Sequence, residues 1–352
     1  MKMPVRLNRK FLPLTVTILL FLIMYGAGSM LYTGFFSLQV FLYLLVDNAF
    51  LGITAIGMTF VIISGGIDLS VGSVMALTTM ISAALLEKAN MSPALVIPIA
   101  LLSGSTLGFL MGSMIHFFKA QPFIVTLGGM FLARGLCYII SIDSISIKNT
   151  TYEAISQARI HLPTGQFISV NVLIYLLVIA GAIYLAHYTR FGRTIYAIGG
   201  SEQSAVLMGL PVGRTKILIY TMSGFLSSLA GIVMTFYMLS GYGLHAKGME
   251  MDAIFSAVVG GTLLTGGVGY VAGTVFGTLI YGTIQSIITF QGTLSSWWTR
   301  IVIGLLIFVF ILLQSIFSSR QKKFGSGDTR SGGRKMVKTV LASAQIIDPE
   351  KK

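Results

Sequence analysis

The chain has 352 residues, 55% of them hydrophobic and only 10% charged, with a mean hydropathy of +0.86; so apolar a composition excludes a soluble domain of this length and defines an integral membrane protein. The net charge of +13 would point to nucleic acid in a soluble protein, but most lysines and arginines lie at the two ends and in a few short loops, a distribution that orients a chain in a bilayer. The single cysteine, Cys137, excludes an intrachain disulfide and a cysteine-based metal site.

Residues Met1 to Lys10 carry Lys2, Arg6, Arg9 and Lys10 ahead of an apolar run from Leu12 to about Tyr32. The run is too long for a signal sequence and no small-residue cleavage site follows, so it predicts a retained first span with a cytoplasmic N-terminus. The next run, Leu38 to Ile63, contains Asp47 and Asn48 and leads into SGGIDLSVG, Ser64 to Gly72. A carboxylate near hydrocarbon costs about 2.5–3.5 kcal/mol on insertion scales, so Asp68 must face a protein interior, a wet cavity or the interface. Gly65, Gly66 and Gly72 allow a sharp turn, and Ser64, Ser70 and Ser73 can satisfy freed backbone groups. The stretch predicts a break between helices in which Asp68 either caps the next helix or belongs to a solute path.

A third span is expected from Val71 to Leu86, and a fourth from Ser92 to Phe118, where Gly104, Gly108 and Gly112 form a small-residue ridge suited to close helix packing. The fifth, Phe123 to Ser141, holds Arg134, an intramembrane cation that needs a partner or a wet cavity; Asp47 and Asp252 are the acidic candidates. Asp143 to Phe167 is polar and is assigned to the side opposite the N-terminus, before a sixth span from Ser169 to Tyr188.

Arg190 to Lys216 is the longest interior polar connection, and its four basic residues mark it as cytoplasmic. Ser201 to Met208 reads as a short helix there, ended by Gly209 and Pro211. A seventh span follows from Ile217 to Ser240, then two glycine-rich runs, Ala253 to Tyr270 and Val271 to Phe290. Trp297 and Trp298 mark an interface before a last span from Ile301 to about Phe317. These runs predict an all-α polytopic bundle of roughly ten helices of about 20 residues each. With both ends inside, four basic residues of the N-tail, Lys119, four of the central loop and nine of the C-tail are cytoplasmic, 18 of 24. The expected organisation is an N-tail over 1–11, a transmembrane domain over 12–317 containing the 189–216 loop, and a flexible basic tail over 318–352, within which 334–347 is compatible with a surface amphipathic helix.

No phosphate loop, HExxH or paired metal-ligand spacing is present, and His116, His161, His187 and His245 fall near span ends or in loops, so neither catalysis nor a cofactor is indicated. Gly267, Gly269 and Ala272 fit GxGxxA but lack a βαβ setting. Ser64-Gly65-Gly66-Ile67 with Gly72-Ser73-Val74 recurs at the same spacing as Thr265-Gly266-Gly267-Val268 with Gly273-Thr274-Val275. This internal duplication suits a transporter in which solute passes between halves at broken helices; the sequence leaves open whether the halves are parallel or inverted.

The stretches Asp47 to Leu77, Thr189 to Gly209, Met251 to Gly269 and Gly292 to Gly304 resemble the permease subunits of sugar importers driven by ATP-binding cassettes, in the ribose, xylose and galactose branch and nearest the galactofuranose type. The resemblance spans nearly everything except the tails. It implies a type II importer fold in the bacterial inner membrane, a second permease, cytoplasmic ATPase subunits and a periplasmic sugar-binding protein. It also implies that Glu202, Gln203, Ser204, Ala205, Leu207 and Gly209 couple to the ATPase, with Glu202 displaced by one position from the superfamily's usual acidic place. Asp47, Asn48, Gly65, Gly66, Asp68, Gly72, Gly266 and Gly267 are the expected gate or solute path, and Arg134 and Asp252 the expected charge-pairing residues. An ion-coupled secondary transporter using buried carboxylates is the competing function.

Overall fold

The computed structural model describes residues 12–312 except 162, 164, 294 and 296; the N-tail and the basic C-tail lie outside them. Leu12–Leu31 (α1) is followed by Leu38–Asp47 (α2) and Ala49–Ile63 (α3). The last two meet at Asn48 with a 59° bend. Asn48 ends α2 and starts α3, and its side-chain amide donates to the Leu44 carbonyl at 2.9 Å, occupying an acceptor left over where the ladder breaks. Apart from Phe50, every residue of α3 is buried, as expected of a helix apolar all round.

Val71–Glu87 (α4), Pro93–Phe117 (α5) and Pro122–Ile140 (α6) follow, the latter two each opened by a proline where the first turn needs no donor. The glycine ridge of α5 packs inside the chain, against Val212–Met238 (α11). A β-carbon at Gly108 would meet the Tyr220 backbone, one at Gly112 the Ile217 backbone, and one at Gly224 the Gly104 carbonyl. Backbones approach here because side chains are missing from both partners. The 27-residue α11 also packs on α3 and α4, so it is the axis of the bundle.

The polar 141–169 segment forms Ile145–Ser146 (β1), Thr150–Gln157 (α7), Arg159–His161 (β2) and Phe167–Ser169 (β3). β2 pairs with β3 antiparallel, and β1 with Ser240–Gly241 (β4), in register Ile145 to Gly241 and Ser146 to Ser240. Glu87 accepts from the Lys148 and Asn149 amides at 2.7 and 3.1 Å, and so joins the end of α4 to α7. Val170–Tyr188 (α8) then leads to Arg190–Gly200 (α9) and Glu202–Leu207 (α10) at the other end of the bundle. Met249–Val259 (α12), Val271–Gln291 (α13) and Trp297–Leu312 (α14) complete the described chain. The described residues up to Gly304 form one compact unit; of the second, which begins at Leu305, the described part is the apolar helical stretch up to residue 312.

The expectation of ten spans of about 20 residues is corrected: among the described residues six helices are long and apolar enough to cross a membrane, or seven if the bent pair α2–α3 counts as one. Hydropathy adds up apolar residues without registering where the backbone turns. The run Ala253 to Tyr270 looked like one span, yet α12 has 11 residues and stops at Gly260 and Gly261, the latter at φ +91°. α4 has 17 residues between the Gly66 turn and Lys88.

Candidate functional site

The segment expected to couple forms a short, rigidly closed helix. Ser201 caps α10 by accepting from the Ser204 amide at 3.2 Å, and Glu202 holds Lys216 through both carboxylate oxygens at 2.7 Å. At its end, the Gly209 amide donates to the Val206 carbonyl at 2.9 Å and the Leu210 amide to the Ala205 carbonyl at 3.1 Å, with Gly209 at φ +73°. This pair of bonds is a Schellman ending, which needs the left-handed residue that glycine supplies. Ala205 is buried against Ile198, Val212 and Leu210, whereas Leu207 is 87% exposed beside exposed Gln203, Ser204 and Val206. One face of α10 is therefore anchored, and an apolar tip is presented outward.

The two glycine turns meet against α9, the helix before it. The Gly65 and Gly66 amides donate to the Ile62 and Val61 carbonyls at 2.9 and 3.0 Å and end α3. The Gly261 and Thr262 amides end α12 the same way, on the Val258 and Ala257 carbonyls at 2.9 and 3.0 Å. Gly266 and Gly267, at φ +83° and +76°, lie in the loop that follows, and the Gly267 amide donates to the Ile63 carbonyl at 2.8 Å. Gly199 of α9 is wedged between them: a β-carbon there would strike both the Ile63 carbonyl and the Gly267 nitrogen. Tyr196 adds a bond from its hydroxyl to the Gly269 carbonyl at 2.7 Å. α3 and α12 pack together and both end at this junction, and α13 leaves from it, whereas α4 starts beside the first residues of α12. Tyr196 and Gly199 escape a motif search. Their only signal is the Gly199-Gly200 pair directly before a capping serine.

Asp68 is fully buried and accepts three hydrogen bonds, from the Ser70 amide at 2.9 Å, the Ser70 hydroxyl at 2.6 Å and the Ser223 hydroxyl at 2.7 Å. It thus turns the chain into α4 and ties that turn to α11. Gly72, in the first turn of α4, faces the Ala246 carbonyl and the Glu250 carboxylate, where a β-carbon would come within 2.6 Å of each.

The expected charge-pairing residues are not brought together. Arg134 donates to the carbonyls of Gly243 and His245, the second at 2.9 Å, and fastens the loop between α11 and α12. Burial, and next the Arg134 guanidinium, lower the pKa of His245 and favour its neutral form. Asp252 pairs with Arg300 at 2.7 Å and accepts from the Tyr281 hydroxyl at 3.1 Å. Asp47, at the α2–α3 bend, accepts from the Tyr237 hydroxyl at 3.0 Å. Arg300 was missed because it stands 48 residues from Asp252, in a segment that reads only as the approach to a span.

A bundle with six or seven apolar segments long enough to cross a membrane, a bent pair at Asn48 and a capped surface helix has the build of a membrane permease component. The chain belongs to the family described as "Branched-chain amino acid transport system / permease component", which matches residues 40–311. It is 49% identical to the inner membrane ABC transporter permease protein YjfF of Escherichia coli, over 87% of this chain and 92% of that protein. It is 41% identical to the fructose import permease protein FruG of Bifidobacterium longum, over 88% and 92%. Against the ribose import permease protein RbsC of Haemophilus influenzae the identity is 36%, over 85% and 92%. No solved structure matches it.

Proposed function

We propose that this chain is the permease component of an ATP-binding-cassette importer that carries a monosaccharide across a bacterial inner membrane, with ATP hydrolysed on a separate subunit. The observation that carries this reading is α10, a closed helix whose exposed Leu207 tip suits docking into another protein and whose neighbour α9 abuts both glycine turns. The sugar-import names of two relatives support the class of solute. Ribose, fructose and galactofuranose are the sugars to try first, galactofuranose being the finer reading.

In this reading both termini are cytoplasmic, a periplasmic protein delivers the sugar, and a second, related permease completes the path. Glu202, Gln203, Ser204, Ala205, Leu207 and Gly209 form the contact with the ATPase. Gly65, Gly66, Gly72, Gly266 and Gly267 form the joint that the contact moves, and Asp68 sets the angle of the α4 turn. Uptake into vesicles is the test. Accumulation that requires ATP and is unchanged when the proton gradient is collapsed is expected; uptake driven by that gradient without ATP would instead establish the ion-coupled alternative.

A further inference from the structure

The α2–α3 bend opens onto a cavity of about 350 Å³ to which neither α9 nor α10 contributes a wall. Its polar groups come from separate elements: Asp47 and Asn48 at the bend, Lys247 in the loop before α12, Asp252 on α12, Gln285 on α13 and Arg300 on α14. Phe50, Leu51, Met234, Leu244 and Met249 supply apolar wall. Two carboxylates stand against one ammonium and one guanidinium, so the charged lining sums to zero. A charged solute would be left with an unbalanced partner in such a site, whereas a neutral one with many hydroxyls would not.

The lining is also built in advance of any ligand. Arg300 and Tyr281 both bind Asp252, Tyr237 engages one oxygen of Asp47, and Asn48 is held to Leu44. The His245 ring, also in the lining, keeps a buried Nδ1 that has no hydrogen-bond partner among the described residues. The volume sits at the lower end of the range for small-molecule sites, about 300–1,000 Å³, and is sufficient for one sugar ring. Amide and guanidinium groups placed around an apolar wall match a ring that is hydroxylated at its edge and carries C–H on its faces.

We propose that this cavity binds one neutral monosaccharide within the permease, with Asn48, Gln285 and Arg300 reaching its hydroxyls and Phe50 its apolar face. The assignment rests on the monosaccharide reading above and adds a place for the solute inside this chain.

The test uses the assembled importer in lipid vesicles, with Met249→Cys and, separately, Leu244→Cys putting a thiol into the cavity at positions assigned no sugar contact. The native Cys137 is buried and adds little background. Labelling by a small neutral thiol reagent is timed with ribose, fructose or galactose, with a disaccharide, and with a sugar phosphate. A monosaccharide that the wild-type importer takes up is expected to slow labelling at least threefold at both positions. The disaccharide and the phosphate should leave it unchanged, as should every sugar at Asp143→Cys in the polar loop. Wild-type uptake with no protection at either cavity position overturns the site and leaves the proposed function standing. Equal protection by the phosphate overturns the neutral-ligand assignment. Absence of uptake for every monosaccharide removes the function, and the site with it.

Discussion

The Gly267 amide donates to the Ile63 carbonyl at 2.8 Å, across 204 positions of sequence, and joins the turn that ends α3 to the loop that follows α12. With Gly199 pressed against both, a displacement of α9 has to move the two turns together. Rigid elements in direct backbone contact pass on motion because there is no flexible side chain between them to absorb it.

Gly199→Ala should therefore be disruptive and Gly200→Ala harmless. The β-carbon added at Gly199 meets backbone atoms, which cannot swing away, and overpacking of that kind costs about 1–3 kcal/mol; at Gly200 nothing lies within 4 Å. Thermal unfolding of the two purified variants checks this. Equal melting temperatures would show that α9 is not wedged at the junction.

Gly209→Trp has no internal clash, since nothing lies within 4 Å of a β-carbon there, but it forces a side chain into the left-handed region at about 1–2 kcal/mol. Uptake per ATP hydrolysed is expected to fall, while the protein stays in the membrane. Cysteines placed at Ser204 or Leu207 should crosslink to the ATPase subunit. If neither does in a complex that transports, α10 is not the docking element.

Asp68 accepts from three donors, so Asp68→Asn keeps Oδ1 for the two Ser70 donors, removes the charge that strengthens those bonds, and forces the Ser223 hydroxyl to turn from donor to acceptor. A loss of about 1–3 kcal/mol is expected, with folded yield and transport falling together. Ser223→Ala removes one bond and should cost less. Full stability of Asp68→Asn alongside lost transport would assign the residue to the solute path instead.

Because Arg134 and Asp252 have different partners, exchanging them as Arg134→Asp with Asp252→Arg should rescue nothing. Exchanging Asp252 with Arg300 is the swap expected to recover part of the stability. Arg300 is 46% exposed, so breaking its pair costs at the low end, about 1–2 kcal/mol. Arg134→Lys should loosen the loop over 241–248, because one ammonium does not reproduce a guanidinium holding two carbonyls; faster hydrogen exchange there is the readout.

Two differently tagged copies of this chain, expressed with a full set of importer subunits, report the pairing. The expected result is that one active complex carries a single tag, with a related permease as partner. Recovery of both tags in one active complex would establish an identical pair.

Much of this was legible in the sequence because its causes are local. Hydropathy alone marks the membrane class and most helix positions, and the four-residue glycine spacing of α5 marks a contact face before its partner is known. The end of α10 was also readable, since a residue that must adopt positive φ narrows the choice toward glycine, and Gly209 stands where that is needed. The same reasoning located the turns at Gly65 and Gly266, although not that they touch.

Tertiary structure decided the rest, for reasons no local signal carries. The apolar run from Leu38 to Ile63 contains a 59° bend at Asn48, and α12 stops after 11 residues, where the Thr17 hydroxyl of α1 donates to the Val259 carbonyl at 2.6 Å. A lone guanidinium within a span makes Asp47 and Asp252 equal candidates as partner of Arg134; the fold instead gives Asp252 to Arg300 and Asp47 to Tyr237, and leaves Arg134 to backbone carbonyls. Gly199 is critical only because Ile63 and Gly267 arrive on either side of it. The sequence by itself determined what each segment is; which segments meet depends on contacts between residues tens to hundreds of positions apart, and those exist only once the bundle has closed.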